Sequence, residues 1–387
     1  MNTHDVFQFH LPTEVHFGPG KAKDLGSTVR SIGRNRAFLV TDKGVVQAGL
    51  LETVVTSLKK EEIEVFIFDE VEPDPSVETI DKGAQIFLEQ NCDVIIAIGG
   101  GSPIDGAKGI RVVAGNGGSI RDYAGVNKVN KKSEIPLVAI PTTSGTGSEV
   151  TIFGVYSDWQ NKIKVTVTSP CVAPTLAVVD PELTLTCPPK ITAATGIDAL
   201  AHAVETYVSR LSQPPSGALA EAAISLVGKY LRPAVSNGDD RESRIKMSQA
   251  SLLAGMAFNQ SYLGLAHAIG SALSGHAHVS HGNAIALLLP AVMKHNLPAS
   301  FVKYRQIAKC LGEKVDHLSD REAAQHAVHA VSHLREDVGL PTRLRDVAVS
   351  EEQLPDIAKD SFKSGMLRFN PRSISEEQLL GLLKEIY

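Results

Sequence analysis

A chain of 387 residues, 43% of them apolar, is too long for one compact core, so two domains are expected. The formal charge of −5 is spread over both signs with no basic stripe, which argues against nucleic acid as the main partner. No run of about 18 apolar residues occurs, so no membrane span is expected.

The opening stretch, up to Gly20, lacks the basic and apolar regions of a secretory signal. The first strand expected is "RAFLVTD" (36–42), followed by a helical pattern over 45–63, "VVQAGLLETVVTSLKKEEI". A strand at 64–71, a helix at 76–91 and a strand at 92–101 that runs into three glycines continue the alternation. Strand and helix in turn imply a parallel sheet with crossover helices. "PLVAIPTT" (136–143), "KIKVTVTSP" (162–170) and "TLAVVDP" (175–181) add strand-like runs. After "TCPPK" (186–190) the grammar becomes helical, with candidates at 221–235, 250–258, 304–312 and an amphipathic terminal helix at 375–387. The boundary is placed at Pro188–Pro189, dividing 1–187 from 188–387. Cys92, Cys171, Cys187 and Cys310 are scattered and form no C-x-x-C pair, as expected of reduced thiols in a cytoplasmic protein.

"VIIAIGGGSPIDGAKGI" passes from a buried-type strand through Gly99, Gly100 and Gly101 into a helix. Ser102 is the expected N-cap, Pro103 suits the first turn, and Asp105 stands three residues after the cap. Such a turn lets a diphosphate approach the backbone, where free N–H groups and the helix dipole favour negative charge. The spacing is not a strict G-x-G-x-x-G, so a plain strand–helix turn remains the alternative. Asp42 closes the first strand, where a carboxylate can bind a ribose diol and repel a 2′-phosphate; a surface turn is the alternative. "PTTSGTGSEVT" sets Thr142, Thr143, Ser144, Thr146, Ser148 and Thr151 among two glycines just after a strand, which suits a polar ligand.

In the helical half, Asp198 and His202 stand four apart and so share a helix face. His267, His276, His278 and His281 crowd into one stretch. A straight helix would hold the first and last of these about 21 Å apart. For His267 and His281 to meet at one ion the helix must stop and the chain turn back, with Gly275, Ser280 and Gly282 as the expected breaks and a new helix at "NAIALLLP". One carboxylate and three neutral imidazoles suit Zn²⁺ or Fe²⁺. His276 is read as a solvent-facing loop residue.

"GGGSPIDGAKG", "PTTSGTGSE", "TGIDALAHAVE", "AGMAFNQSYLGLAH" and "HVSHGNAIALLLP" together, in this order and spacing, resemble the iron-containing (group III) alcohol dehydrogenases. The resemblance implies a Rossmann-like dinucleotide-binding α/β domain over 1–187 and an all-α metal-binding and substrate domain over 188–387, a dehydroquinate-synthase-like architecture with a cleft between the two. It implies a divalent metal (Fe²⁺ or Zn²⁺) held by Asp198, His202, His267 and His281. NAD(H) would lie along Asp42, Gly99, Gly100, Gly101, Ser102, Asp105, Thr142, Thr143, Thr146 and Thr151, with Lys164 near the nicotinamide. The metal would act as a Lewis acid on a carbonyl or alkoxide of a small alcohol or aldehyde while the cofactor carries the hydride. Phe258 matches a position lining the family's substrate cleft, and a homo-oligomer, dimer or higher, is implied.

One position departs from the family pattern "H-A-x-x-H": the second histidine is Ser271 here. The proton relay then falls to His278, or to Ser271 with water, and the smaller residue suits a polar or acidic aldehyde. Two other readings share the architecture: an NAD- and metal-using lyase of the dehydroquinate-synthase type, and a non-catalytic metal- or nucleotide-binding relative.

Overall fold

The computed structural model describes residues 6–161 and 163–387. The chain forms two compact units, Leu11–Cys187 and Pro188–Tyr387, the second joined by residues 6–10.

In the first unit a six-stranded parallel sheet contains β1 (Glu14–Phe17), β2 (Arg36–Val40), β3 (Glu64–Phe68), β4 (Val94–Gly99), β6 (Leu137–Pro141) and β9 (Leu176–Val179), in the order β1-β9-β6-β4-β2-β3. A smaller sheet holds β5 (Gly125–Val126), β8 (Ile163–Thr168) and β7 (Phe153–Asp158). The helices are α1 (Leu25–Ser31), α2 (Lys43–Gln47), α3 (Leu51–Lys60), α4 (Val77–Glu89) and α5 (Gly101–Asn116). Side-chain alternation buries both faces of the large sheet. Ala37, Leu39, Ile96 and Ile98 pack with Leu25, Val54 and Leu58, while Phe38, Val40, Ile95 and Ala97 pack with Ile80, Phe87 and Ile110. That is why these strands read as continuous apolar runs.

Chain order reverses at β2, which pairs with β3 on one side and β4 on the other. The crevice beyond the strand ends at such a switch point is where open α/β sheets bind ligands. Asp42 follows β2, and Gly99 ends β4 with Gly100–Ser102 after it, so both lie at this end of the sheet.

Three details differ from the sequence expectation. The helix expected over 45–63 is two helices, because Gly49 turns the chain at φ 71°. Helix α5 starts at Gly101 with Gly100 as N-cap, and no side chain caps it, so Ser102 lies inside the first turn and is not the cap. β1, β5 and β7 add to the expected strands. Lys162, the first residue of the expected strand 162–170, lies outside the described residues.

The second unit contains α6 (Pro189–Val208), α7 (Pro214–Ser236), α8 (Arg241–Ser261), α9 (Leu265–Ala277), α10 (His281–Asn296), α11 (Phe301–Cys310), α12 (Asp320–Asp337), α13 (Leu354–Phe362) and α14 (Glu376–Glu385). Its main core joins Ile197, Leu200 and Val204 of α6 to Ile224, Val227 and Leu231 of α7 and to Met247 and Ala254 of α8. Among the described residues no helix is long and apolar enough to cross a membrane. The break between α9 and α10 is not made by glycine. Helix α9 runs through Gly275 to Ala277, its C-cap His278 turns the chain with a left-handed backbone (φ 52°, ψ 27°), and α10 begins at His281.

Candidate active site

Helix α6 carries Asp198, His202 and Glu205 on one stripe, at i, i+4 and i+7, and all three are buried. The chain reversal after α9 returns His281 to the carboxylate that His267 also faces. His267 Nε2 and His281 Nε2 each lie 3.4 Å from Asp198 Oδ1, and His202 Nε2 lies 3.8 Å from it. Asp198, His267 and His281 offer ligand atoms all within 4.8 Å of one another. The His202 ring is stacked between Phe258 and His267, with centroids 4.6 Å from each. Gly282 permits the approach of α10 to α6, since a Cβ there would sit 2.9 Å from both Cβ and O of Ala194.

Two buried atoms at the focus, Asp198 Oδ1 and His267 Nε2, have no hydrogen-bond partner. Buried polar atoms without partners are costly, and a cation between them satisfies both at once. Burial alone would raise the Asp198 carboxyl, but His202, His281 and His267 outweigh it and hold Asp198 well below the ordinary carboxylate range. Burial opposes charge on His267 as well, yet Asp198 and Glu205 push that ring up to about 9. The two carboxylates favour positive charge at this focus, and a divalent ion would take the place of a proton there. The donor set of one carboxylate and imidazole nitrogens fits Fe²⁺ or Zn²⁺.

The start of α9 is capped from a distance. Its N-cap, Gly264, has no side chain to offer. Instead Glu205 Oε2 accepts from Gly264 N–H (3.0 Å), Glu205 Oε1 from Ala266 N–H (2.6 Å) and Asn370 Oδ1 from Leu265 N–H (3.3 Å). The free N–H groups of a helix start are thereby satisfied, and the turn carrying His267 is pinned. Neither Glu205 nor Asn370 was expected from the sequence. The signal for Glu205 was present, since it continues the Asp198–His202 stripe by one turn.

Phe258 stacks on His202 and Ser271 stands one turn after His267, whereas His276 and His278 stand apart from that focus. His276 is not in a loop: it lies in the last turn of α9 and its Nε2 meets Asp360 Oδ2 at 2.7 Å. His278 is exposed at the α9 terminus. The Ser271 hydroxyl donates to the His267 carbonyl of its own helix at 2.9 Å.

In the α/β unit, β4 and β6 lie side by side with Gly99 opposite Pro141, and Thr142 N–H donates to Gly99 O at 2.9 Å. The Gly99–Ser102 turn and the threonine-rich loop are therefore neighbours, with Gly100 close to the Thr143 side chain and Gly101 to that of Thr146. Beneath them sits the fully buried Lys108. Its Nζ donates to Ser148 Oγ (2.7 Å), Thr151 Oγ1 (3.0 Å) and Phe153 O (2.6 Å), and it pairs with Asp105 Oδ1 (3.2 Å). Lys108 escaped sequence reasoning, although it stands one turn after Asp105. Thr142 and Thr151 are buried, whereas Gly100, Gly101, Ser102, Thr143 and Thr146 are partly accessible. Asp42 is the N-cap of α2, its Oδ1 accepting from Val45 N–H at 2.9 Å. Lys164 on β8 pairs with Asp74 (2.9 Å) and donates to Ser157 Oγ (3.0 Å).

Comparison with known proteins matches this geometry to one family. The profile for "iron-containing alcohol dehydrogenase" matches residues 12–181, and that for "Fe-containing alcohol dehydrogenase family, C-terminal" matches 192–387. The chain is 39% identical over 384 residues to a 1,3-propanediol dehydrogenase of Citrobacter freundii, covering 99% of each chain. It is 39% identical to an NAD-dependent methanol dehydrogenase of Bacillus methanolicus, covering 97% of this chain and 98% of that one. The crystal structure of a 1,3-propanediol oxidoreductase superposes with a TM-score of 0.96 at 38% identity, covering 99% of this chain and 100% of the other. With family profiles on both units and relatives matched over nearly their whole length, the chain belongs to the iron-containing alcohol dehydrogenase family and is an NAD-dependent alcohol dehydrogenase.

Proposed function

We propose that the enzyme interconverts a small alcohol and its aldehyde, with Asp198, His202, His267 and His281 holding Fe²⁺ or Zn²⁺ and with NAD(H) along Asp42, Gly99–Ser102 and the 142–151 loop. The observation that carries this reading is the meeting of buried Asp198 Oδ1 with three imidazole nitrogens, two of the atoms being without hydrogen-bond partners. When bound, the ion supplies Lewis acidity at the substrate oxygen and NAD carries the hydride. The protein's own part is to fix charge and shape. Asp198 stays anionic, and the His202 ring is held flat by Phe258, whose apolar face borders the substrate. His281 is 44% exposed, the open side of the ligand set. With serine in place of an imidazole at position 271, the alcohol proton passes to water, directly or through the Ser271 hydroxyl. Free cysteines, Cys92 among them buried, support a reducing, cytoplasmic setting. The test is a panel of alcohols and aldehydes with NAD and NADH, on enzyme reconstituted separately with Fe²⁺ and Zn²⁺. Turnover with no member of the panel would refute the reading.

Cofactor choice follows from Asp42. A 2′-phosphate at this strand end would meet a carboxylate, so NAD should be used with much higher kcat/KM than NADP. Asp42→Gly should narrow that gap. It should leave the fold nearly as stable, because glycine replaces an aspartate cap at a loss of only a few tenths of a kcal/mol, roughly. Equal use of both cofactors by the wild type would overturn the assignment.

Ser271 stands one turn after His267 on α9 and is smaller than the histidine of the family pattern, which supports a substrate bearing its own polar group. Ser271→His should raise KM for polar or acidic aldehydes and leave ethanol-sized substrates alone. Steady-state kinetics on both kinds of substrate at several pH values decides this. A uniform rise in kcat, moving toward an imidazole pH dependence, would instead assign the position to proton transfer.

A further inference from the structure

We infer that Glu205 is a positioning residue for the metal centre, fixing His267 in the tautomer whose Nε2 is free to bind the ion. The inference rests on the ligand set proposed above and extends it to a residue outside that set. Glu205 Oε2 accepts from His267 Nδ1 at 2.6 Å while also taking the Gly264 N–H, and Oε1 takes the Ala266 N–H. Both oxygens are thus occupied, and two backbone donors prevent the carboxylate from turning away. With Nδ1 as the donor, the lone pair of a neutral ring is on Nε2, the atom that faces Asp198 from 3.4 Å. One helix, α6, therefore provides two ligands and the buttress of a third.

Glutamine cannot reproduce this. Three donors face the position, and an amide offers one acceptor oxygen and an NH₂ group that only donates. With its oxygen toward His267, its NH₂ meets the Ala266 N–H. With its NH₂ toward His267, it selects the opposite tautomer and turns an Nε2–H toward Asp198. Partners of this kind are worth about 10–100-fold in metal affinity.

The test is competition for Zn²⁺ between a chromogenic chelator and the metal-stripped full-length protein, with NADH binding by fluorescence in parallel. Glu205→Gln should still bind one Zn²⁺ per chain, about 10–100-fold more weakly, with NADH affinity unchanged. His267→Ala should not compete for Zn²⁺ at all. Wild-type Zn²⁺ affinity in Glu205→Gln, together with loss in His267→Ala, would overturn the inference and leave the ligand set standing. Wild-type affinity in His267→Ala would overturn the ligand set and the inference with it. A readout that needs no variant is the ¹⁵N spectrum of Zn²⁺-loaded wild type. His267 should show a protonated Nδ1 and a ligated Nε2, and the reverse assignment would overturn the inference.

Discussion

Replacing His267 by alanine should abolish binding of the proposed divalent ion and nearly all turnover. The ring is buried and stands between two carboxylates, Asp198 and Glu205. Its loss takes away a ligand and leaves both anions short of a partner. Breaking a buried pair in this way costs about 3–5 kcal/mol, so the melting temperature falls together with the metal content. His281→Ala should also empty the site, but with little loss of stability, because that side chain is 44% exposed. His276→Ala should keep the full complement of metal, since its ring is engaged with Asp360. Metal per chain, melting temperature and kcat, measured on the three variants, separate these outcomes. A site emptied by His276→Ala and retained in His281→Ala would show that the wrong histidine has been chosen.

The second large effect is expected in the other unit. Lys108→Met removes the cation on which Ser148, Thr151, Asp105 and the Phe153 carbonyl converge. These groups tie α5 to the threonine-rich loop, so the variant should lose about 3–5 kcal/mol of stability and bind NADH much more weakly. Metal content should be unchanged, because the ligands belong to the helical unit. A variant that melts like wild type and binds NADH with wild-type affinity would show that the Lys108 hub does not organise the cofactor loops.

Much of this was legible in the residues. The sheet strands betrayed themselves because both faces are buried, and the Asp198–His202 spacing disclosed a shared helix face. Short edge elements were not legible. β1 reads EVHF, with a glutamate and a histidine at the rim of the sheet, and β7 contains Gly154 and ends in Asp158. The turn between α9 and α10 was expected from the need to bring His267 and His281 together, but its maker, left-handed His278, gives no local signal of the kind a glycine gives. Glu205, Asn370 and Lys108 were missed for a different reason, although Glu205 shares the Asp198–His202 stripe. Each acts through partners distant in sequence, Lys108 reaching 40 residues to Ser148 and Asn370 reaching 105 to Leu265. Periodicity identifies a face but not what meets it.

The most direct measurement follows the hydride itself. NADH carrying deuterium at the transferable position is supplied with an aldehyde to the metal-stripped enzyme and to the same enzyme reloaded with Fe²⁺. The account predicts no reaction in the first and, in the second, one NADH consumed for each alcohol formed, with deuterium on the carbinol carbon. Equal turnover by the stripped enzyme, or product formed without net consumption of NADH, would contradict it.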